Sequence, residues 1–173
     1  MNIIIKTNRL LIRELSKEDF ENVYALNSDP EVMKYHYASG KVRTFKQEAT
    51  IFKNILKAYS KNKYYGVWGV ITQEDNNFLG ITSFLPLIET GESQTGVRIK
   101  KTCWNKGFGS EIMKAMVEYG IFNLNLSRLV ALTNPENHTS MKVLEKAGFK
   151  WEKKIKVGME EMNYFAINKF SIS

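Results

Sequence analysis

The sequence predicts a mixed α/β domain, and three observations predict it. Stretches with helical apolar spacing alternate with short runs rich in β-branched and aromatic residues. At the centre, a strand pattern, a glycine-bearing turn, a striped helix and a second strand pattern follow one another, which makes a strand–helix–strand unit. No repeat, low-complexity tract or Pro/Gly-rich linker divides the 173 residues. One compact unit is the economical reading, long enough to bury a core without disulfides or metals.

Each element has its own signal. Leu10, Ile12 and Leu15 alternate with Leu11 and Arg13 as in a first strand. Ser16 with Asp19 marks a helix start, and Phe20, Val23, Tyr24 and Asn27 carry its stripe to the break at Ser28-Asp29-Pro30. Pro30 to Tyr35 suits a short second helix with proline in its first turn. Thr44 and Gln47 form a capping-box pattern leading into Ala49, Phe52, Ile55, Leu56 and Tyr59. Tyr64 to Thr72 and Phe78 to Leu87, joined by a polar turn, read as an antiparallel hairpin, and Thr95 to Lys100 as a further strand. A helix bearing Ile112, Met113, Met116, Val117 and Gly120 follows. Arg128 to Thr133 is a buried strand, Asn137 to Ala147 a helix stopped by Gly148, and Phe149 to Lys156 and Glu161 to Phe170 are the last two strands.

Composition excludes several classes. No apolar run approaches the roughly 18 residues of a membrane span, and the opening MNIIIKTNRLLIREL lacks the ordering of a signal peptide. The single cysteine, Cys103, leaves no internal disulfide framework and suits a reducing cytosol. Two widely spaced histidines do not make the ligand set of a structural zinc site with it. The net charge of +7 favours anionic partners. Its lysines fall in short, scattered clusters such as Lys61/Lys63, Lys100/Lys101 and Lys153/Lys154/Lys156, which read as solvated faces.

The turn WNKGFGSE, Trp104 to Glu111, opens the central helix. A helix starting near Gly107 leaves about four backbone N–H groups without intrahelical partners, and its dipole places partial positive charge at the same end. Glycines at 107 and 109 let a phosphate approach the backbone, Lys106 with Lys100 and Lys101 adds full charge, and Ser110 offers a hydroxyl. The nucleoside triphosphate loop G-x-x-x-x-G-K-[ST] and the dinucleotide loop G-x-G-x-x-G are both absent. Taken alone, Gly-x-Gly serves equally as a flexible turn.

A second constellation stands thirty residues on, NPENHTSMKVLEKAGF. Together with TNRLLIREL, SDPEVMKY, WGV, LGI and WNKGFGSE in that order, it resembles the GNAT superfamily of acetyl-CoA-dependent N-acetyltransferases, in the branch typified by the ribosomal-protein N-terminal acetyltransferases RimJ and RimL. The resemblance runs from about Thr7 to Asn168 and implies one domain over residues 7–170. It implies a twisted, mostly antiparallel sheet of about seven strands, with helices on both faces and a central β-α-β unit for acetyl-CoA. The family's phosphate loop falls on Trp104, Asn105, Lys106, Gly107, Phe108 and Gly109, with Ser110 in the first turn. Trp104 stands where Gln or Arg is usual, a change common in this branch. Val97, Arg98 and Ile99 match the strand beside the pantetheine arm, and Asn137 and Ser140 the residues that reach that arm and the sulfur. Lys142 and Lys146 on the same helix read equally as exposed residues.

Amine acetylation needs a deprotonated nitrogen, a donor for the oxyanion of a tetrahedral intermediate and a proton for the departing thiolate. By resemblance, a main-chain N–H near Val97 to Ile99 is the oxyanion donor and Ser140 protonates the thiolate; a first-turn hydroxyl is the plainer reading of Ser140. Many relatives carry a glutamate just before the glycine of the pantetheine strand. Here the stretch is Gln94-Thr95-Gly96-Val97, so the base lies elsewhere, among Glu92, Glu31, Glu14, Tyr35 and His36, or water relays the proton. Trp68 and Trp151 read as packing residues, Cys103 as a structural thiol, His138 as an exposed first-turn residue, and His36 between Tyr35 and Tyr37 as lining an acceptor cleft or a surface loop.

The expected activity is acetyl transfer to a primary amine, foremost a protein N-terminus such as that of a ribosomal protein, in a cytoplasmic monomer or homodimer without a metal. A small-molecule amine (aminoglycoside, polyamine or amino acid) and a non-catalytic acyl-CoA sensor are the alternatives. A nucleic-acid role rests on charge alone.

Overall fold

The computed structural model describes residues 2–36, 41–62 and 64–171. Lys63 and Tyr37 lie outside the described residues. Eight strands form a single sheet in the order β1-β2-β3-β4-β5-β6-β8-β7. They are β1 (Ile3–Lys6), β2 (Leu10–Glu14), β3 (Gly66–Thr72), β4 (Phe78–Pro86), β5 (Ser93–Ile99), β6 (Arg128–Thr133), β7 (Lys150–Val157) and β8 (Glu160–Asn168). The helices are α1 (Phe20–Ser28), α2 (Pro30–Met33), α3 (Phe45–Ala58), α4 (Phe108–Glu118) and α5 (His138–Lys146).

The caps match the residues that begin each helix. Asp19 accepts from the Ser16 amide at 2.8 Å ahead of α1, and the Asp29 carboxylate accepts from the Glu31 amide at 2.9 Å to start α2. Thr44 and Gln47 close their capping box over α3. At the other end of the chain, Gly148 takes φ +94° just past α5, and the Phe149 amide donates back to the Leu144 carbonyl at 3.1 Å.

One strand exceeds the expectation of about seven. β1 pairs antiparallel with β2. Its four residues are exposed or half-buried, so it is a strand by virtue of its neighbour and carries almost no periodic signal. The second difference is Trp151, expected as a packing residue but 54% exposed. It lies on β7, the strand at the end of the sheet, whose residues are all exposed or half-buried. Charged side chains along such an edge guard against pairing with another chain.

Helices cover both faces elsewhere. On one face α4 and α5 bury Ile112, Met113, Met116 and Leu144 against Trp68, Val70, Phe84, Leu129 and Phe165. On the other, α1 and α3 bury Val23, Leu26 and Phe52 against Ile71, Phe78 and Ile81. A π-helical turn, Tyr119–Asn123, ends α4 and puts Gly120 against the Phe84 ring, where a Cβ would come within 2.9 Å.

Every neighbouring pair in the sheet is antiparallel except β5 and β6, which run parallel and are joined by α4. Their register has one matched pair, Gln94 with Val130. Beyond it the strands part toward their C-terminal ends. Polar backbone on separating strands needs partners, and in open α/β sheets such a parting is where ligands enter.

Candidate active site

A cleft of about 550 Å³ occupies the parting of β5 and β6. Thr95, Gly96, Val97 and Arg98 form one lip; Leu132, Thr133, Asn137 and Ser140 form the other. The cleft continues under α1 and α3, past Asn27, Tyr35, His36, Arg43 and Glu48. Val97, Arg98, Asn137 and Ser140 thus share one cleft, Ile99 lies outside its lining, and Arg98 turns its side chain away from the α4 side. Its guanidinium donates to the Asn27 side-chain oxygen on α1, so only its main chain remains to accompany a thioester arm.

On the second lip, Asn137 caps α5 by accepting from the Ser140 amide at 3.0 Å. This commits the carbonyl of the Asn137 amide and leaves its NH₂ group to the cleft. Ser140 is half-buried, and its hydroxyl makes no bond among the described residues, so it is not spent as a cap.

The phosphate loop lies outside the cleft but adjoins it. Gly109 packs on Ile99 and on Val143, a residue of the cleft wall; a Cβ there would sit 3.7 and 3.5 Å from them. Gly107 has φ +79° and stands as the N-cap of α4 without any side-chain cap. Asn105 is left-handed as well, at φ +61°, and such alternation turns successive amides toward one side as an anion-binding concavity. The first helical bond runs from the Glu111 amide to the Gly107 carbonyl at 3.1 Å. The amides of Phe108, Gly109 and Ser110 thus precede the ladder. Trp104 ties the loop to the strand by donating its indole N–H to the Ile99 carbonyl at 2.8 Å.

The charge around this loop differs from expectation. Lys100 bonds Asn22 at 2.8 Å and covers the Phe78 ring, and Lys101 pairs with Glu31 at 3.6 Å. Both are drawn toward α1 and α2, leaving Lys106. The missing cation is Arg9, which follows β1 in the turn to β2. Its guanidinium donates to the Lys106 carbonyl at 3.1 Å and lies 4.4 Å over the Phe108 ring. It lies within the TNRLLIREL stretch, but a partner one hundred residues away leaves no local signal.

The base candidates separate by place. Glu92 is held by Arg128 at 2.8 Å and by the Tyr164 hydroxyl. Burial pushes its carboxyl up, but those bonds outweigh it and keep it below the usual range. Glu31 is exposed beside Lys101, and Glu14 accepts from Asn2 at 3.3 Å. None of these three lines the cleft, whereas Tyr35 and His36 do. His36 is pushed down to about 3, first by burial and then by the nearby Arg98 and Arg43 guanidiniums. A neutral imidazole that resists protonation is a poor base.

Three cleft residues, Glu48, Thr95 and Thr133, bury a polar atom without a hydrogen-bond partner, and two of them, Glu48 and Thr133, carry no signal in the sequence. Glu48 on α3 is fully buried; one oxygen accepts from Arg43 at 3.0 Å and the other has no hydrogen-bond partner. Thr95, at the family's glutamate position, is 1% exposed, and Thr133 across the parting is 4% exposed. Both hydroxyls are buried without a partner, which is uncommon for buried polar groups and marks places that a bound molecule would satisfy.

Comparison with known proteins decides the family. The family model described as an acetyltransferase (GNAT) domain matches residues 9–150. The chain belongs to the GNAT acetyltransferases. The uncharacterized N-acetyltransferase YnaD of Bacillus subtilis is 34% identical over 148 residues, covering 86% of this chain and 83% of that protein. A GNAT-family acetyltransferase from Bacillus anthracis has a crystal structure with TM-score 0.82 and 30% identity, covering 96% and 98% of the two chains. Two further structures share the fold at TM-score 0.78. One is the Vibrio cholerae spermidine N-acetyltransferase with CoA and spermine, at 17% identity over 95% and 98% of the chains. The other is RimL, a ribosomal L7/L12 alpha-N-protein acetyltransferase with coenzyme A, at 15% over 96% and 98%. The protein is thus a GNAT-type N-acetyltransferase, and acetyl-CoA is its co-substrate.

A GNAT enzyme must receive an anionic diphosphate and a thioester, and the residues present fit both. The uncapped mouth of α4, with Lys106 and Arg9 beside it, suits the first, and the parted strands suit the second. Among the described residues no group of His, Cys, Asp and Glu gathers to hold a metal ion, and no helix is long and apolar enough to cross a membrane.

Proposed function

We propose that this GNAT enzyme acetylates the α-amine of a protein N-terminus by direct transfer from acetyl-CoA, as in the RimJ/RimL branch, through one catalytic domain over residues 7–170 working in the cytosol. The single observation that carries the reading is the parting of β5 and β6, which opens a cleft of about 550 Å³ beside an uncapped helix mouth. In this reading the amides of residues 106–110 hold the diphosphate, with Trp104 and Asn105 shaping the loop. The main chain of Val97, Arg98 and Ile99 lies along the thioester arm and supplies the oxyanion donor. Asn137 steadies the arm from the other lip, and Ser140 gives its proton to the departing thiolate.

Direct transfer needs both substrates at once, and holding them in line supplies much of the rate. That suits a site without a carboxylate at position 95. The buried hydroxyls of Thr95 and Thr133, both in the lining of the cleft, suit a water that carries the amine's proton away.

A thiol-release assay with a panel of peptides tests the reading. Free coenzyme A should raise the melting temperature, since a ligand selective for the native state stabilises it. Ser140→Ala should lower kcat by about tenfold or more while changing coenzyme affinity little. An unchanged melting temperature refutes the coenzyme site, and an undiminished kcat removes Ser140 from the chemistry.

A further inference from the structure

We propose that Glu48 receives the acceptor's amine, and that its carboxylate selects a positively charged nitrogen over a neutral hydroxyl at the same place. This deepens the acetyltransferase reading and rests on it.

The cleft passes through the sheet. Met113, Val143 and Leu144 line it from the α4 and α5 face, and Asn27, Ile51 and Ile55 from the α1 and α3 face. The uncapped mouth that suits the diphosphate belongs to α4, so the thioester enters from the first face and the second is left to the amine. Glu48 stands on that second face, in the first turn of α3. Among the described residues lining the cleft it is the one carboxylate.

Its two oxygens differ. Oε2 accepts from the Arg43 guanidinium at 3.0 Å, and the Arg43 amide donates to the Asn27 carbonyl at 3.3 Å, which ties the pair to α1. Oε1 has no hydrogen-bond partner among the described residues, although Glu48 is 0% exposed. A carboxylate offers about four acceptor positions, and a brace for Arg43 needs one. Buried polar groups are rarely left unpaired, and an unpaired charged acceptor is more unfavourable than an unpaired hydroxyl. The donor that acetyl transfer must bring into this cleft is the N–H of the acceptor. At pH 7 free α-amines and lysines are mostly ammonium, and an ammonium bonds a carboxylate more strongly than a hydroxyl does.

The same oxygen serves the chemistry without taking a proton. The ammonium gives one proton to the water beside Thr95 and Thr133, and the free amine attacks the thioester carbon. As the C–N bond forms the nitrogen regains a positive charge, which the carboxylate stabilises. When the C–S bond breaks, the thiolate takes the Ser140 proton and Ser140 recovers one from the nitrogen. The third hydrogen stays on the amide.

Calorimetric titration of the coenzyme A complex, which cannot transfer, compares each amine with its hydroxyl analogue. The probes are an alanyl peptide with its lactoyl counterpart, and 1,4-diaminobutane with 1,4-butanediol. The native protein should bind at least one amine about tenfold or more tighter than its analogue at pH 7. In Glu48→Gln, which keeps an acceptor for Arg43, that ratio falls toward one, and in Glu48→Asp most of it survives. With acetyl-CoA, Glu48→Gln should lower kcat/KM for the amine by about tenfold or more and leave the KM for acetyl-CoA unchanged. A brace for the fold would weaken amine and analogue alike, so the ratio within one variant separates the two roles. No preference for either amine, or a ratio indifferent to Glu48→Gln, overturns the proposal and leaves acetyl transfer standing. Absence of turnover with every amine overturns both.

Discussion

Arg9 grips Glu111 across 102 residues of sequence, its Nε donating to one carboxylate oxygen at 2.7 Å and its Nη2 reaching the same oxygen at 2.7 Å. Thr7 donates to the other oxygen at 2.6 Å. The turn between β1 and β2 is thereby buckled to the first turn of α4, and the same guanidinium continues to the Lys106 carbonyl. Arg9→Gln should loosen the phosphate loop and lower coenzyme A affinity several-fold. A partly exposed ion pair contributes only about 1 kcal/mol, so the melting temperature should fall by about 2–4 °C. Calorimetric titration and thermal denaturation together check this; a normal affinity would reduce Arg9 to a brace.

The same contacts set an acid response. Burial pushes the Glu111 carboxyl up, but the bonds from Thr7 and Arg9 outweigh it and hold it below its usual 4.5. A carboxyl depressed in the folded state stabilises above its unfolded value and loses that contribution as pH falls. Glu111→Gln should therefore be less stable than the native protein at pH 7, with the gap closing below pH 4.5. Denaturant midpoints measured at pH 7 and pH 3.5 show it.

Gly107 and Gly109 separate into two kinds of glycine. At φ +79° any side chain on residue 107 is strained, by about 1–2 kcal/mol, and the strain is relieved by turning the very amides meant for the diphosphate. At residue 109 a methyl group would meet Val143 and Ile99 at ordinary contact distance. Gly107→Ala should weaken coenzyme A by about tenfold or more, and Gly109→Ala should fold and bind much closer to normal. Equal losses in the two variants would mean that the loop acts by close approach rather than by conformation.

The glycine turn ahead of α4 and the α5 cap are legible in the sequence because both are local. WNKGFGSE needs its glycines within one turn, and Asn137 needs Ser140 three residues on, so spacing alone exposes them. Arg9, Glu48 and Thr133 act through partners that only the sheet order brings near. No window of sequence holds Arg9 with Glu111, and Glu48 reads as an ordinary solvated position in the first turn of a capped helix. β1 was hidden for a related reason, since its half-exposed residues become a strand only against Leu11, Ile12 and Arg13. Lys100 and Lys101 erred in the opposite sense: adjacent to the loop in sequence, they turn to α1 and α2 in space.

His36 gives a second pH signature. Its folded value, near 3, lies under the usual 6.5 because burial and two arginines oppose the imidazolium. The unfolded chain takes up a proton that the folded one refuses, so this group's stabilisation is complete above pH 6.5 and declines as pH falls toward 3. Between pH 7.5 and 5 the native protein should lose about 4–8 °C more in melting temperature than His36→Asn. Activity should show no inflection from His36 near 6.5. The rate should instead climb with ionisation of the amine itself, near 8 for an α-amine and above 10 for a lysine. An inflection near 6.5 that vanishes in His36→Asn would reinstate His36 as the base.

Gly80 tests how far the cleft depends on the sheet behind it. It pairs with Ile99 in the β4–β5 ladder, and a Cβ there would fall 2.1 Å from the Arg98 carbonyl and 2.8 Å from the Ile99 Cα. Both obstacles are main chain, so a side chain cannot rotate clear; the strand must move. Overpacking of this kind costs about 1–3 kcal/mol, and the displaced strand is the lip that carries Val97 and Arg98. Gly80→Ala should therefore lower both the melting temperature and kcat/KM. A surface substitution matched for stability loss, by contrast, should leave kcat/KM intact at a temperature where each is fully folded. If the two variants proved equally active there, the backbone of β5 would have no part in holding the thioester, and the oxyanion donor would have to be sought on the β6 side of the cleft.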